Sequence, residues 1–223
     1  MLSPYRYYIG QDLGQSRDPT ATCCIRKHGY GDKARYEVCR LNRHPLNTSY
    51  VDIVANTVAF LGSEEIQAHF GEFAVDFTGV GRPTADIYQR FGVHPTLIAF
   101  TAGNQITRDP DNFRVFGVPK LELISALQSI MHTKQLVLDK TLGETERLLF
   151  EMQNFEAHIT AAGRYTFGNN RVGQHDDLIM SLAIAAFVAT GRHGPSTGII
   201  DYYRNEAARM GADASPFLAA LRR

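Results

Sequence analysis

The segment "GQHDDLIMSLAIAAFVAT", Gly173 to Thr190, constrains the fold of this chain more than any other. Its body is largely apolar and lacks the broad polar face of a surface helix, so it has to be buried. It is too short to be a membrane span, and no run of about 18 apolar residues occurs elsewhere in the chain. Hydrophobic residues make up 44% of the 223 positions, enough to build a core around such a helix. A length of this order suits one large domain, or one domain with a tail. The opening residues "MLSPYRYY" lack the charged-then-apolar pattern of a signal peptide.

Ahead of that helix the pattern begins as a β-meander. Strands are expected at Tyr5–Gln11, Thr20–Lys27 and Arg35–Arg43, joined by short polar turns such as "HGYGDK". In "SYVDIVANTVAFLG", Val51, Val54, Val58 and Leu61 fall at helical spacing and Gly62 stops the run. "EFAVDFTGVGRPTADIYQRFG" reads as strand, glycine turn and helix, with Pro83 suited to a first helical position. "HPTLIAFT" is a further buried strand. Ala102 to Gly117 reads as a long polar loop, a kind often kept for function. A helix from about Lys120, a short strand "LVLD", a helix "GETERLLFEMQNFEAH" and a strand or hairpin at "AAGRYTFG" complete the order. Three meander strands followed by alternating helices and strands predict an α/β fold: a mixed β-sheet with helices on both faces. The expected domain spans 1–191, and 192–223, rich in Gly, Pro, Ala and charge, is expected to be a tail with short helices.

Composition limits the partners. The formal net charge is zero, so any nucleic-acid binding needs a local basic face. Arg17, Arg26, Lys27, Lys33 and Arg35 flank the first hairpin and could track a phosphate backbone, although ordinary solubility explains them as well. Cys23, Cys24 and Cys39 are spaced for neither a disulfide framework nor a zinc site, and read as reduced thiols filling the core.

Four carboxylates stand at the ends of apolar segments. Asp12 ends the first strand in "YYIGQDLG", Asp76 ends "FAVDF", and Asp176 and Asp177 open the apolar helix. Strand ends and helix starts of a mixed sheet can converge on one rim, where ligand sites form. Carboxylates brought together repel unless a cation compensates. Hard divalent ions supply that compensation through oxygen ligands. Two such ions can hold a phosphodiester between them. Each acid also has a plainer role: Asp12 as a turn former, and Asp176 and Asp177 as first-turn acids favoured by the helix dipole. Neighbouring helical residues point about 100° apart, so one of the pair can be a ligand and the other its support. Asp177, one residue further into the buried helix, is the preferred ligand.

"IGQDLGQSRDPTA", "AVDFTGVGRPTADIY", "VPKLELISAL" and "GQHDDLIMSLAIA", in that order, resemble the nuclease domain of the large terminase subunit of tailed bacteriophages. The resemblance spans most of the chain and implies a ribonuclease H-like fold. It implies a metal-dependent endonuclease that cuts double-stranded DNA during genome packaging in the cytoplasm of an infected bacterial host. The implied metal is Mg²⁺ or Mn²⁺, two ions, held by Asp12, Asp76, Asp176 and Asp177. The implied partners are DNA, the terminase ATPase domain, the small terminase subunit and the portal protein, with no membrane. Many relatives carry Glu where this chain has Asp76. The packaging ATPase is not represented: no G-x-x-x-x-G-K-[ST] loop occurs, so an excised domain or a shortened product is expected.

Smaller signals stay two-sided. His175 could orient water at the metal or cap the helix. Arg17, Arg82 and Lys120 could contact DNA or be solvated surface residues, although Lys120 at a helix start opposes the dipole and a phosphate would justify it. "TGVGRPT" lacks the third glycine of a dinucleotide fingerprint, and no organic cofactor is expected. Other functions share the same pattern: a Holliday-junction resolvase-like nuclease, an actin-like or sugar-kinase-fold phosphotransferase, or an idle module that docks on a portal.

Overall fold

The computed structural model describes residues 5–14, 18–79, 81–101, 103, 105–159, 165–169 and 175–192. Its main sheet has eight strands: β1 (Tyr5–Asp12), β2 (Ala21–His28), β3 (Arg35–Arg43), β4 (Phe70–Asp76), β5 (Thr96–Thr101), β6 (Thr107–Arg108), β7 (Val115–Pro119) and β8 (Leu136–Leu138). Their order across the sheet is β6-β7-β5-β4-β1-β2-β3-β8. The meander β1-β2-β3 is antiparallel, whereas β4 pairs parallel with β1, β5 with β4, and β7 with β5. β9 (Phe155–Ile159) and β10 (Tyr165–Asn169) form a separate hairpin.

The sheet is mixed, as the order of elements predicts, and helices cover both faces. One face carries α1 (Tyr50–Leu61), α2 (Glu64–Ala68) and α3 (Gly81–Arg90), whose Val54, Val58, Leu61, Ile66 and Tyr88 pack on Tyr7, Ile9, Cys24, Phe73 and Val75. The other carries α4 (Lys120–His132), α5 (Thr145–Asn154) and α6 (Asp177–Thr190), packed on Cys23, Ile25, Val38, Ala74 and Ile98. Adjacent Cys23 and Cys24 thus enter opposite cores, as strand alternation requires.

Two expectations are corrected. The stretch 102–117 is not all loop: it holds β6 and most of β7, strands too short for a visible alternation. The fifth helix ends at Asn154, and "FEAH" continues as strand β9. Pro83 sits in the first turn of α3, two residues inside its start. The tail expected at 192–223 lies, apart from Arg192, outside the described residues.

The placement of α6 decides where the site forms. From Leu178 to Ala189 every residue of α6 is buried. Gly10 of β1 lies against it so closely that a Cβ there would collide with the Ser181 carbonyl and the Ala185 nitrogen. Asp12 is two residues beyond Gly10 on the same face of the strand. Two strand residues advance about 6.6 Å. Four helical residues, from Ser181 back to Asp177, advance about 6 Å. The close contact at Gly10 therefore brings the end of β1 level with the start of α6. At the other end Lys27 Nζ donates to the Ala189 carbonyl at 2.7 Å, a cation on the helix C-terminus.

Candidate active site

Register builds one row of charged side chains along the sheet edge. Asp12 pairs with Ala21, and Ala21 pairs with Arg43. On the other side Gln11 pairs with Val75, so Asp12 and Asp76 are the next residues in step. Asp76 shares its parity with Ala74, which faces α6, and Asp12 shares its parity with Gly10. Asp76, Asp12 and Arg43 thus stand on the α6 face at one level, with neighbouring strands about 4.8 Å apart.

Asp12 is half-buried at this rim. Lost hydration, then the charges of Asp76 and Asp176, push its carboxyl well above the usual range; Lys120 opposes the shift and Asp177 adds a weaker push. Asp76 is 6% exposed. Burial raises its carboxyl to about 6, against the pull of Thr78 and Lys120. Thr78 N–H donates to Asp76 Oδ1 at 2.7 Å, and Phe100 N–H donates to Thr78 Oγ1 at 2.8 Å. These bonds tie the turn after β4 to the end of β5. Gly79 follows with φ 71°, a left-handed turn that favours glycine.

The two acids at the start of α6 face different neighbours. Asp176, the N-cap residue, is partly exposed and lies 4.0 Å from Lys120 Nζ through Oδ2. Lys120 opens α4 directly after Pro119 and also approaches the Phe100 ring, at 5.4 Å. Asp177 is buried, and its Oδ1 accepts from Arg43 Nη2 at 2.7 Å. Its Oδ2 is buried without a hydrogen-bond partner, as are Arg43 Nε and Glu151 Oε1. Burial and the Asp177 charge raise the Glu151 carboxyl to about 8.

Of the other predicted residues, His175 Nδ1 pairs with Asp18 Oδ1 at 2.9 Å, linking the approach to α6 with the loop after β1. Asp18 also borders a cleft of about 260 Å³ between that loop and the start of α1. Arg82 is exposed in the first turn of α3, and Arg17 lies outside the described residues. Arg26 pairs with Glu37 at 2.9 Å and Lys27 caps α6, so both are engaged within the fold. Arg43 and Glu151 carry no motif. Only strand register would have pointed to Arg43, and only an acid on the buried side of α5 to Glu151.

The donor set suits a hard divalent cation: carboxylate oxygens, no thiol, and a surplus of negative charge with one lysine beside it. Among the described residues no three His, Cys, Asp or Glu side chains already converge tightly enough to hold one ion. Asp76 and Asp176 flank Asp12 rather than meet it, and a cation there would offset the repulsion that raises Asp12.

No protein-family model and no curated protein matches the sequence. Solved structures do match. The large terminase nuclease from thermophilic phage G20c with bound magnesium is 24% identical, with 83% of this chain and 82% of that chain covered and a TM-score of 0.57. The manganese-soaked human cytomegalovirus terminase nuclease domain is 14% identical, with 84% of each chain covered and a TM-score of 0.53. The HK97 bacteriophage large terminase is 15% identical with a TM-score of 0.54; 84% of this chain matches 40% of that one. The fold is therefore the ribonuclease H-like fold of large terminase nuclease domains.

Proposed function

We propose that this chain is a metal-dependent endonuclease that cuts double-stranded DNA in phage genome packaging, acting as the nuclease domain of a large terminase subunit. The observation that carries the proposal is the half-buried Asp12 carboxylate, flanked by Asp76 and Asp176 with Lys120 as the nearby cation, in a fold shared with a magnesium-bound terminase nuclease. Asp12, Asp76 and Asp176 are assigned as the residues that hold Mg²⁺ or Mn²⁺. Bound ions would supply an activated water and would stabilise charge on the phosphodiester oxygens.

The rest of the chemistry belongs to the chain itself. Asp12 is anchored at the end of a central strand, so its carboxylate stays fixed while ligands exchange. The Thr78 N–H holds Asp76 through Oδ1 and so fixes the carboxylate at the rim. Asp176 is favoured over Asp177 as the helix ligand, reversing the preference from sequence. Asp12 responds more to the Asp176 charge, and Asp177 is committed to Arg43. Asp177 keeps Oδ2 unpaired, so its support through Arg43 does not consume both oxygens. Lys120 is assigned to the DNA phosphate, a contact that positions the backbone without reading sequence. Arg82, exposed in the first turn of α3, is assigned to the flank of the DNA path, and His175, paired with Asp18, to the lip of the metal site.

Residues 1–191 are the proposed nuclease domain and 192–223 a tail. The proposed setting is the host cytoplasm, with the terminase ATPase domain, small subunit and portal as partners. No helix among the described residues is long and apolar enough to cross a membrane.

Cleavage of supercoiled plasmid with Mg²⁺, Mn²⁺ or chelator tests the proposal. Nicked and linear DNA should form with either ion and none with chelator. Cleavage that survives chelator, or none with both ions, would overturn it. Cutting confined to branched DNA would favour a resolvase instead.

A further inference from the structure

The start of α6 is capped by an acid from elsewhere. Asp176 is its N-cap residue, and its main-chain carbonyl accepts from Met180 N–H at 2.9 Å. An aspartate in that position ordinarily turns its side chain to accept from the N–H of the second or third helical residue. The Asp176 side chain makes no such bond. The donors it would use, Leu178 N–H and Ile179 N–H, both go to Glu151 Oε2 at 3.0 Å each. Glu151 is buried on α5, well separated in sequence. Asp177, the other acid at the helix start, has Oδ1 engaged by Arg43.

We propose that Glu151 is a positioning residue: it caps α6 in place of Asp176 and so keeps the Asp176 carboxylate in the metal site. This rests on the assignment of Asp176 as a metal ligand. The Leu178 and Ile179 N–H groups are buried, and a buried donor left without a partner is costly. Some acceptor must take them, and Asp176 is adjacent. If Asp176 served as the cap, its oxygen would be drawn onto its own helix and away from Lys120 and Asp12. Glu151 fills that position first. It spends one oxygen on two backbone donors and leaves the local acid free. Which of the two acids accepts from Leu178 and Ile179 N–H sets whether the Asp176 side chain turns onto its own helix or toward the site.

The exchange of caps is testable on the metal-free chain. Thermal unfolding is measured for wild type, Glu151→Ala, Asp176→Ala and the double variant. Asp176→Ala alone should leave the melting temperature unchanged or raised, because Asp176 caps nothing and adds repulsion. In the Glu151→Ala background the same change should lower it, because Asp176 has become the cap. Additive effects would overturn the proposal. So would a clear drop with Asp176→Ala alone, a result that does not depend on any Glu151 variant folding. Calorimetry with Mn²⁺ supplies a second readout. Glu151→Ala should weaken binding by roughly 10–100-fold, the usual cost of losing a supporting partner. Glu151→Gln keeps an acceptor oxygen and should bind within a few-fold of wild type. Wild-type affinity in Glu151→Ala would refute the positioning role. Wild-type protein that takes up no Mn²⁺ would overturn the metal assignment, while the melting cycle still decides the cap.

Discussion

Two groups of acids share the start of α6, and their surroundings differ in kind. Toward β1 and β4 lie Asp12, Asp76 and Asp176, with Lys120 at the edge and solvent within reach. Toward β3 and α5 lie Asp177 and Glu151, buried against Arg43 and two helix N–H groups. The second group is answered from within the protein: one oxygen of each acid meets a cation or backbone donors. The first is answered less completely: Thr78 N–H meets one Asp76 oxygen and Lys120 stands 4.0 Å from Asp176, while the Asp76 and Asp176 charges add to burial in raising Asp12. Negative charge that the fold compensates serves the fold. Negative charge left uncompensated beside an opening is suited to a cation from outside. Asp176 and Asp177, neighbours in sequence, fall on opposite sides of that division.

The contrast is broken most directly at Asp12. Asp12→Asn keeps the shape and removes the charge. Plasmid cleavage should fall by well over the roughly 100-fold cost of losing a mere supporting group. The melting temperature without metal should hold or rise, because repulsion falls. On the compensated side the expectation reverses. Arg43→Met leaves Asp177 buried without its cation, and urea unfolding should register a loss of about 3–5 kcal/mol. If both variants were equally stable, the two groups would not differ as described.

A pH series sharpens the comparison. Asp76 is raised to about 6 and Glu151 to about 8. Each therefore binds its proton more tightly folded than unfolded. The folded state gains from protonation at low pH and loses that gain as pH rises through the raised values. For Glu151 the window runs from its ordinary value of 4.5 to about 8. The slope per group is at most about 1.4 kcal/mol per pH unit. Wild-type metal-free protein should lose more stability between pH 5 and 8 than Glu151→Gln does. An equal loss in both would remove Glu151 from the account. The smallest effect is expected at Lys120. Lys120→Met should weaken DNA binding several-fold and reduce the slope of log affinity against log salt by about 0.9, the value of one phosphate contact. An unchanged slope would leave Lys120 as a counter-charge to Asp12 and Asp76 alone.

Much of the architecture was legible because it depends on near neighbours. The apolar run that ends at Asp12 and the polar break after it, and the uninterrupted apolar body of α6, identify strand and buried helix without knowledge of any contact. Asp12 and Asp76 were visible as carboxylates that end apolar strands. β6 and β7 were missed because a two-residue strand and a five-residue strand containing Gly117 and Pro119 leave no period to read. Arg43 was missed because its place follows from pairing through Ala21, which no local pattern encodes.

The sequence by itself determined the order of the longer elements, the burial of α6 and the presence of acids at both strand ends and at the helix start. Those features follow from side-chain period and chemistry along a few residues. Only the tertiary structure decided how the acids divide. The rotation of α6 about its axis is set by Gly10 against Ser181 and Ala185, and by Arg43 and Glu151 at its start. These are contacts between residues far apart in the chain. A turn of about 100° separates Asp176 from Asp177, and long-range packing alone selects which of them faces Asp12.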